Sequence, residues 1–226
     1  MPQEISNCIL TEHFISYALK IGAIELIPDG RTLKSGRISP YFFNSGLFKT
    51  GESLSHLATS YVAVIDKGKL RSQVIFGPAY KGIPLAVAVA QEIGGNMGYA
   101  FNRKEAKDHG ERGIIVGAPL KGRNILIVDD VMTTGTSSGE AVEIIKANGG
   151  IPIGCVIAFD RQERGKESNL SAVQEFEKNY SIPVHAVATH ADLISYLGKI
   201  LYEKNSAHDR ETLDKIIEYR NTYGVS

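Results

Sequence analysis

Two acidic residues followed by a run of hydroxyl-bearing and glycine residues form the segment with the clearest chemical potential. Asp129 and Asp130 come directly after the apolar run 125–128, and residues 133–137 open a predicted helix. Small residues let successive backbone N–H groups converge on an anion, hydroxyls add donors, and a helix N-terminus is electropositive. Carboxylates suit vicinal hydroxyls, which donate hydrogen bonds, or the water shell of a metal ion. The segment therefore predicts a site for a sugar phosphate.

A simpler interpretation of the same segment is a strand that leads into a capped helix, since Asp and Thr are common caps. A cap needs one such residue, whereas residues 129–137 hold seven acidic, hydroxyl or glycine positions. The segment has neither the lysine of a P-loop nor a GxGxxG pattern, which argues against those nucleotide-binding classes.

A second glycine-containing turn, at 77–82, lies between a predicted strand and a predicted helix that carries Pro84 near its start. Its backbone amides, beside Lys81, could line a second anion pocket suited to pyrophosphate. A tight turn that uses glycine and proline for geometry alone remains open.

Residues 103–112 hold four Lys or Arg and three acidic residues. The pairs Lys104/Asp108 and Lys107/Glu111 stand at i,i+4 spacing, which suits a solvated helix. Glycines interrupt such a helix, and a basic mobile loop could instead close over a leaving pyrophosphate.

The strand, the two acids and the loop after them resemble the phosphoribosyl pyrophosphate (PRPP) motif of type I phosphoribosyltransferases. The segments 34–44, 77–84 and 101–111 resemble the orotate-specific branch of that family in particular. This resemblance runs from about residue 14 to 197. It implies Mg²⁺-dependent transfer of the phosphoribosyl group from PRPP to N1 of orotate in pyrimidine biosynthesis, with the Mg²⁺ carried by PRPP and no metal site of the protein's own.

The resemblance also implies roles for individual residues. The catalytic residues would be Lys107, His109, Asp129 and Asp130, with Lys107 the first choice as proton or charge donor to the leaving group. PRPP would contact Lys34, Tyr80, Lys81, Arg103, Lys104, Lys107, His109, Asp129, Asp130, Val131, Met132, Thr133, Thr134, Gly135, Thr136 and Ser137. Orotate would contact Phe42, Phe43, Thr133 and Arg161.

In the family, the residues that match Arg103, Lys107 and His109 reach into the partner subunit's site, whereas the one that matches Lys104 serves its own. A homodimer that shares the 103–112 loop is therefore expected.

The orotate residues also have simpler interpretations. Phe42 and Phe43 would ordinarily be core packing. Arg161 follows a predicted strand, at the edge where α/β proteins bind ligands, and its guanidinium suits a carboxylate. A surface ion pair with Asp160 or Glu163 is the alternative.

Charge balance narrows the other functional classes. Lys plus Arg and Asp plus Glu each number 25 in 226 residues, so the net charge is zero. This argues against nucleic acid or an anionic membrane as a partner, and against a PRPP-sensing regulator that binds nucleic acid. A purine-salvage phosphoribosyltransferase stays open as an alternative function.

The two cysteines show no metal or disulfide spacing, so a cytoplasmic location is expected. No apolar stretch reaches the length of a membrane span.

Alternating helices and short β-branched runs predict an α/β fold, with a central, mostly parallel sheet flanked by helices. We expect one domain, 1–226, with an N-terminal hood of about 1–48, a core of about 49–204 and a C-terminal helix of about 205–226. The hood would hold a helix at 11–19 and a hairpin at 32–44. Core strands are predicted at 74–77, 98–102, 124–129, 153–160 and 184–188, and helices at 52–66, 83–93, 137–147, 170–178, 193–203 and 208–219.

Overall fold

The structure, a computed structural model, describes residues 2–107, 113–166, 168–204 and 207–225. In these residues the chain forms, in order, α1 (Pro2–Lys20), β1 (Ile24–Thr32), β2 (Ile38–Phe43), a short 3₁₀ helix (Ser45–Leu47), α2 (Gly51–Lys67), β3 (Val74–Gly77), α3 (Gly82–Ile93), β4 (Gly98–Lys107), β5 (Gly113–Gly117), β6 (Asn124–Val131), α4 (Thr136–Ala147), β7 (Ile151–Asp160), α5 (Ala172–Tyr180), β8 (Val184–Thr189), α6 (His190–Lys204) and α7 (Ala207–Tyr223). None of the helices in the described ranges is long and apolar enough to cross a membrane.

The chain forms two compact units. The α/β unit comprises Thr50–Ala158 and Val173–Val187, and the second unit comprises Met1–Lys49, Phe159–Ala172 and Ala188–Ser226. The segment expected as a hood and the C-terminal helix therefore belong to the same unit, which we call the terminal unit.

The sheet has the strand order β5-β4-β3-β6-β7-β8. β3 pairs in parallel with both β4 and β6, while β5 runs antiparallel to β4. Residues 74–76 and 125–128 are fully buried apolar runs, as expected for parallel strands covered on both faces. The predicted fold class, a mostly parallel sheet flanked by helices, is confirmed.

The strand order reverses between β3 and β6. From β3 the chain moves to β4 on one side, whereas β6 lies on the other side of β3. Such a switch point leaves a crevice at the carboxyl ends of the two strands, and α/β proteins bind ligands there. The turns after β3 and β6 therefore come together at the edge where the sequence predicts two anion-binding segments.

The region after Asn102 differs from the prediction. β4 continues through Lys107 and pairs with β5, a strand that the sequence analysis did not predict, so the loop expected over 103–107 is wrong. Beyond Phe101, β4 pairs with β5 alone, and its charged residues Arg103, Lys104 and Glu105 lie outside the core. Residues 108–112 lie outside the described residues.

The terminal unit holds a longer hairpin than expected. β1 pairs with β2 across a turn in which the Leu33 N–H donates to the Arg37 carbonyl at 2.8 Å. The prediction missed most of β1 because Pro28 and Gly30 interrupt it, and the strand accommodates them with a register shift between Leu26 and Arg31. Likewise α1 begins well before the predicted residue 11. α7 packs against β1, β2 and α6.

Gly77 provides a stability test, because a Cβ there would lie 1.9 Å from the Gly82 carbonyl oxygen. We expect Gly77→Ala to destabilise the protein by about 1–3 kcal/mol or more, since backbone must move to admit the methyl group. Gly198→Ala in α6 is the control: its Cβ meets nothing within 4 Å, and helix propensity predicts a gain of about 0.5–1 kcal/mol. Thermal unfolding of both variants would measure this, and an unchanged melting temperature for Gly77→Ala would contradict the close packing.

Candidate active site

The loop between β6 and α4 presents hydroxyls and backbone amides to solvent. Gly135 caps α4 in the left-handed conformation, with a φ of 70°, and supplies no side-chain hydrogen bond to the first helical turn. Thr134 and Thr136 lie on either side of it, exposed, with their hydroxyl oxygens 3.0 Å apart. The first-turn amides and these hydroxyls form a surface suited to a phosphate.

Directly before this loop, the two predicted acids are buried, each only 6% exposed. The Asp130 N–H donates to Oδ1 of Asp129 at 2.9 Å. Burial, followed by the charge of Asp130, raises the pKa of Asp129 to about 7, although hydrogen bonds from the Asp130 backbone and the Ser137 side chain oppose the rise. Tyr61 supports the strand end by donating its hydroxyl to the Asp129 backbone carbonyl at 2.6 Å.

The turn after β3 brings Lys81 to this acidic pair. Lys81 Nζ lies 2.7 Å from Oδ2 of Asp130, although the lysine side chain is 65% exposed. A mostly exposed ammonium beside a buried carboxylate leaves cationic surface at the crevice. The geometry thus joins the two predicted anion-binding segments into one site.

Asn102 holds the same turn from the neighbouring strand. Its side-chain oxygen accepts the Ala79 N–H at 3.0 Å. Residue types do not single out Asn102 in the sequence, where its only indication is its place at the end of the predicted strand 98–102. Nearby, the Lys104 ammonium lies 5.1 Å from the centre of the Tyr80 ring, so two further predicted PRPP residues come together.

A cavity of about 890 Å³ adjoins the β6–α4 loop within the α/β unit. Its lining combines basic residues of β4, the loop itself and acidic residues of α4 and α5: Arg103, Lys104, Thr134, Gly135, Thr136, Glu140, Glu143 and Glu175. This volume lies within the usual range of small-molecule sites. Five of the predicted PRPP residues therefore share a concave surface: Arg103, Lys104, Thr134, Gly135 and Thr136.

The remaining predicted PRPP residues occupy varied positions. Val131 ends β6, Met132 is buried, and Thr133 and Ser137 are exposed. Lys34 is exposed in the hairpin turn of the terminal unit. The side chain of Lys107 and all of His109 lie outside what the structure describes.

In the terminal unit, Arg161 is held by several partners. Its Nε donates to Glu163 at 2.7 Å, one terminal nitrogen donates to the Ser39 hydroxyl at 3.0 Å, and the guanidinium lies 4.4 Å from the centre of the Tyr41 ring. The ion-pair alternative therefore holds for Glu163, but as a largely buried pair, with side chains 15% and 13% exposed. Asp160 instead accepts the Gln162 N–H at 2.8 Å.

The two candidate phenylalanines differ in exposure. Phe43 is buried and stacks on Phe159 at 5.4 Å, which agrees with its core-packing interpretation. Phe42 is half-buried, and the Arg31 guanidinium lies 4.8 Å from its ring centre.

In the described part of the chain, no group of three or more His, Cys, Asp or Glu side chains is placed to hold a metal ion. Lys81 already contacts one oxygen of Asp130, and a backbone amide contacts one oxygen of Asp129. The two carboxylates fit contacts to ribose hydroxyls or to the water shell of an ion that arrives with a substrate.

Comparison with known proteins identifies the family to which the chain belongs. Residues 50–192 match the family described as Phosphoribosyl transferase domain, so the chain is a phosphoribosyltransferase. An orotate phosphoribosyltransferase of Hahella chejuensis is 49% identical over 217 residues, covering 94% of this chain and 96% of the relative. One from Kluyveromyces lactis is 53% identical over 206 residues, covering 86% and 88%.

A crystal structure of the Francisella tularensis orotate phosphoribosyltransferase has a TM-score of 0.81 and 39% identity, and the match covers 94% of this chain and 99% of that one. With relatives of this identity and coverage, the chain belongs to the orotate phosphoribosyltransferase family.

The raised pKa of Asp129 predicts a pH-dependent stability. A carboxyl group has a pKa near 4 when unfolded and this one has a pKa of about 7 when folded, so the native state binds more protons between those values. The free energy of unfolding should fall as the pH rises through this window, by up to about 1.4 kcal/mol per pH unit from this group.

We expect Asp129→Asn to remove this slope in urea unfolding measured from pH 4.5 to 8, while the control Asp66→Asn, at an exposed position of α2, keeps it. Equal slopes for the wild type and Asp129→Asn would contradict the assignment.

Proposed function

We propose that the chain catalyses its family's reaction with the residues described above. As a pentosyltransferase, it joins N1 of orotate to the anomeric carbon of PRPP, and the bond from that carbon to pyrophosphate breaks. The products are orotidine 5′-monophosphate and pyrophosphate, a step of pyrimidine biosynthesis. The contact between Lys81 and Asp130 at the switch point carries the proposal, because it joins an anion-binding turn to a carboxylate pair.

PRPP binding is proposed for the α/β unit. The exposed hydroxyls and first-turn amides of residues 133–137 suit the 5′-phosphate, since they combine neutral donors with the positive end of α4. Asp129 and Asp130 suit the ribose hydroxyls as acceptors. Lys81 and Lys104 supply positive charge for the pyrophosphate group in their own subunit's site, and Arg103 supplies it in the site of the other subunit.

The chemistry requires stabilisation of opposite charges at the two ends of a breaking bond. The anomeric carbon gains oxocarbenium character, as in glycoside cleavage, while negative charge grows on pyrophosphate. Fixed cations stabilise the latter, and we propose Lys107 and His109 for the same task. Mg²⁺ bound to PRPP would supply further charge neutralisation, with Asp129 and Asp130 facing its water shell.

Orotate recognition is proposed for Arg161, Phe42, Phe43 and Thr133. A guanidinium binds a carboxylate in a planar, two-bonded geometry, which selects orotate over bases without that group. Phe42, half-buried, offers part of a ring face, whereas Phe43 contributes through the packing of β2.

The proposed oligomeric state is a homodimer, and the proposed cellular location is the cytoplasm. We propose a homodimer in which residues 103–112 of one subunit act in the site of the other, with Lys104 serving its own. A reducing compartment, the cytoplasm, is proposed because Cys155 is a buried free thiol.

A direct assay tests the reaction and the base together. Orotate, uracil and hypoxanthine are each mixed with the enzyme, PRPP and Mg²⁺, and loss of base absorbance and release of pyrophosphate are followed. We expect PRPP-dependent turnover with orotate alone. Turnover with hypoxanthine alone would overturn the base assignment in favour of a purine-salvage enzyme. PRPP binding without turnover of any base would overturn the enzymatic proposal.

Mixing two impaired variants tests the shared loop. Lys107→Ala should lower turnover far more than PRPP affinity, and Asp129→Asn should lower turnover by removing an acceptor for the ribose hydroxyls. If the loop acts across subunits, re-equilibrated equal mixtures contain heterodimers with one intact site, and activity should recover to about a quarter of wild type. Mixtures no more active than the average of the two variants would contradict loop sharing.

A further inference from the structure

The last turn of α7 and the residues after it are bonded to the loop that follows Arg161. The Arg164 N–H donates to the Tyr223 carbonyl at 2.9 Å, and the Val225 N–H donates to the Gln162 carbonyl at 2.9 Å. An antiparallel bridge joins Glu163 to Gly224 between them. The last described residues of the chain therefore form a short ladder with the segment next to Arg161.

This loop needs such support. Gln162 has a φ of 52°, in the left-handed region that side chains other than glycine rarely occupy. Besides the bond to Val225, its side-chain oxygen accepts the Ala191 N–H at 3.1 Å. Gln162 follows Arg161 directly and is held in an unfavourable backbone conformation. The direction in which the Arg161 side chain extends from the backbone therefore depends on these hydrogen bonds.

A second connection runs through side chains. Glu163 contacts two guanidinium groups, that of Arg161 at 2.6 Å and that of Arg37 at 3.3 Å. Arg37 lies 4.8 Å from the centre of the Tyr223 ring and donates to the Arg164 carbonyl at 2.8 Å. Tyr223 is thus linked to Arg161 through Arg37 and the shared carboxylate.

Glu163 is shared by the guanidinium groups of Arg161 and Arg37, and all three side chains are no more than 15% exposed. A guanidinium already held in place loses less rotational freedom when it binds a carboxylate.

We propose that residues 223–225 position Arg161, through the backbone ladder and through Arg37 and Glu163, and so contribute to selection of a carboxylated base. The inference rests on the proposed function, in which Arg161 binds the carboxylate of orotate. The residues after α6 carry no family motif. In this inference they have a role in substrate binding.

The test compares Tyr223→Ala with Tyr223→Phe, which keeps the ring beside Arg37. The control is Lys215→Ala, which removes an exposed i,i+4 pair with Glu211 on the same helix. In steady-state kinetics we expect Tyr223→Ala to raise the KM for orotate about 10-fold, with the KM for PRPP unchanged and kcat little changed. Tyr223→Phe and Lys215→Ala should behave as wild type.

An unchanged KM for orotate in Tyr223→Ala, or an equal rise in both KM values, would overturn the inference. If Tyr223→Ala does not fold, Glu163→Gln, which keeps the side-chain size, decides the question by the same criteria. Arg161→Lys separates the proposed contact between Arg161 and orotate from the proposed positioning role of residues 223–225. An unchanged KM for orotate in that variant would refute the proposed orotate contact itself, whereas a raised value beside a silent Tyr223→Ala would refute only the positioning role.

Discussion

Parallel pairing of β3 with β6 is the constraint on which the candidate phosphate site depends. Neighbouring parallel strands end at the same edge, and here they end at the point where the strand order reverses. Lys81, after one strand, and Asp130, at the end of the other, therefore meet although they are 49 positions apart. Their contact needs no long loop, because strand register brings the two turns together.

Burial makes that contact important for the chemistry. The two adjacent carboxylates are each 6% exposed, and the loss of hydration followed by the charge of Asp130 raises the pKa of Asp129 to about 7. Hydrogen bonds from the Asp130 backbone and the Ser137 side chain, and then the charge of Lys81, offset part of this rise at Asp129. Near neutral pH, Asp129 therefore populates both its protonated and its ionised form. A polar ligand that donates hydrogen bonds to this carboxylate favours the ionised form.

The sequence predicted most of the α/β unit because its apolar runs are continuous and glycine ends its helices. Strand 74–77 was placed without error, since both of its faces are buried and its neighbours are turn residues. The antiparallel β5 was missed because the part of β4 that pairs only with β5 is charged, and β5 itself is a run of five residues with glycine at both ends. The candidate phosphate loop is predicted from residue types, whereas the Asn102 contact to Ala79 depends on strand register, which residue types do not reveal.

The two candidate binding regions offer different groups to an anion. The loop at 133–137 is exposed and offers neutral donors, which suit a phosphate whose charge is partly neutralised by a metal ion. Arg161 instead lies in a largely buried cluster in which the Glu163 carboxylate contacts both Arg161 and Arg37. These contacts fix the guanidinium before any ligand arrives, so a planar carboxylate that binds it orders less of the protein. In the proposed function, a base without a carboxylate gains nothing from that arrangement, and selectivity for the base then depends on the order of the free cluster as well as on the contacts of the complex.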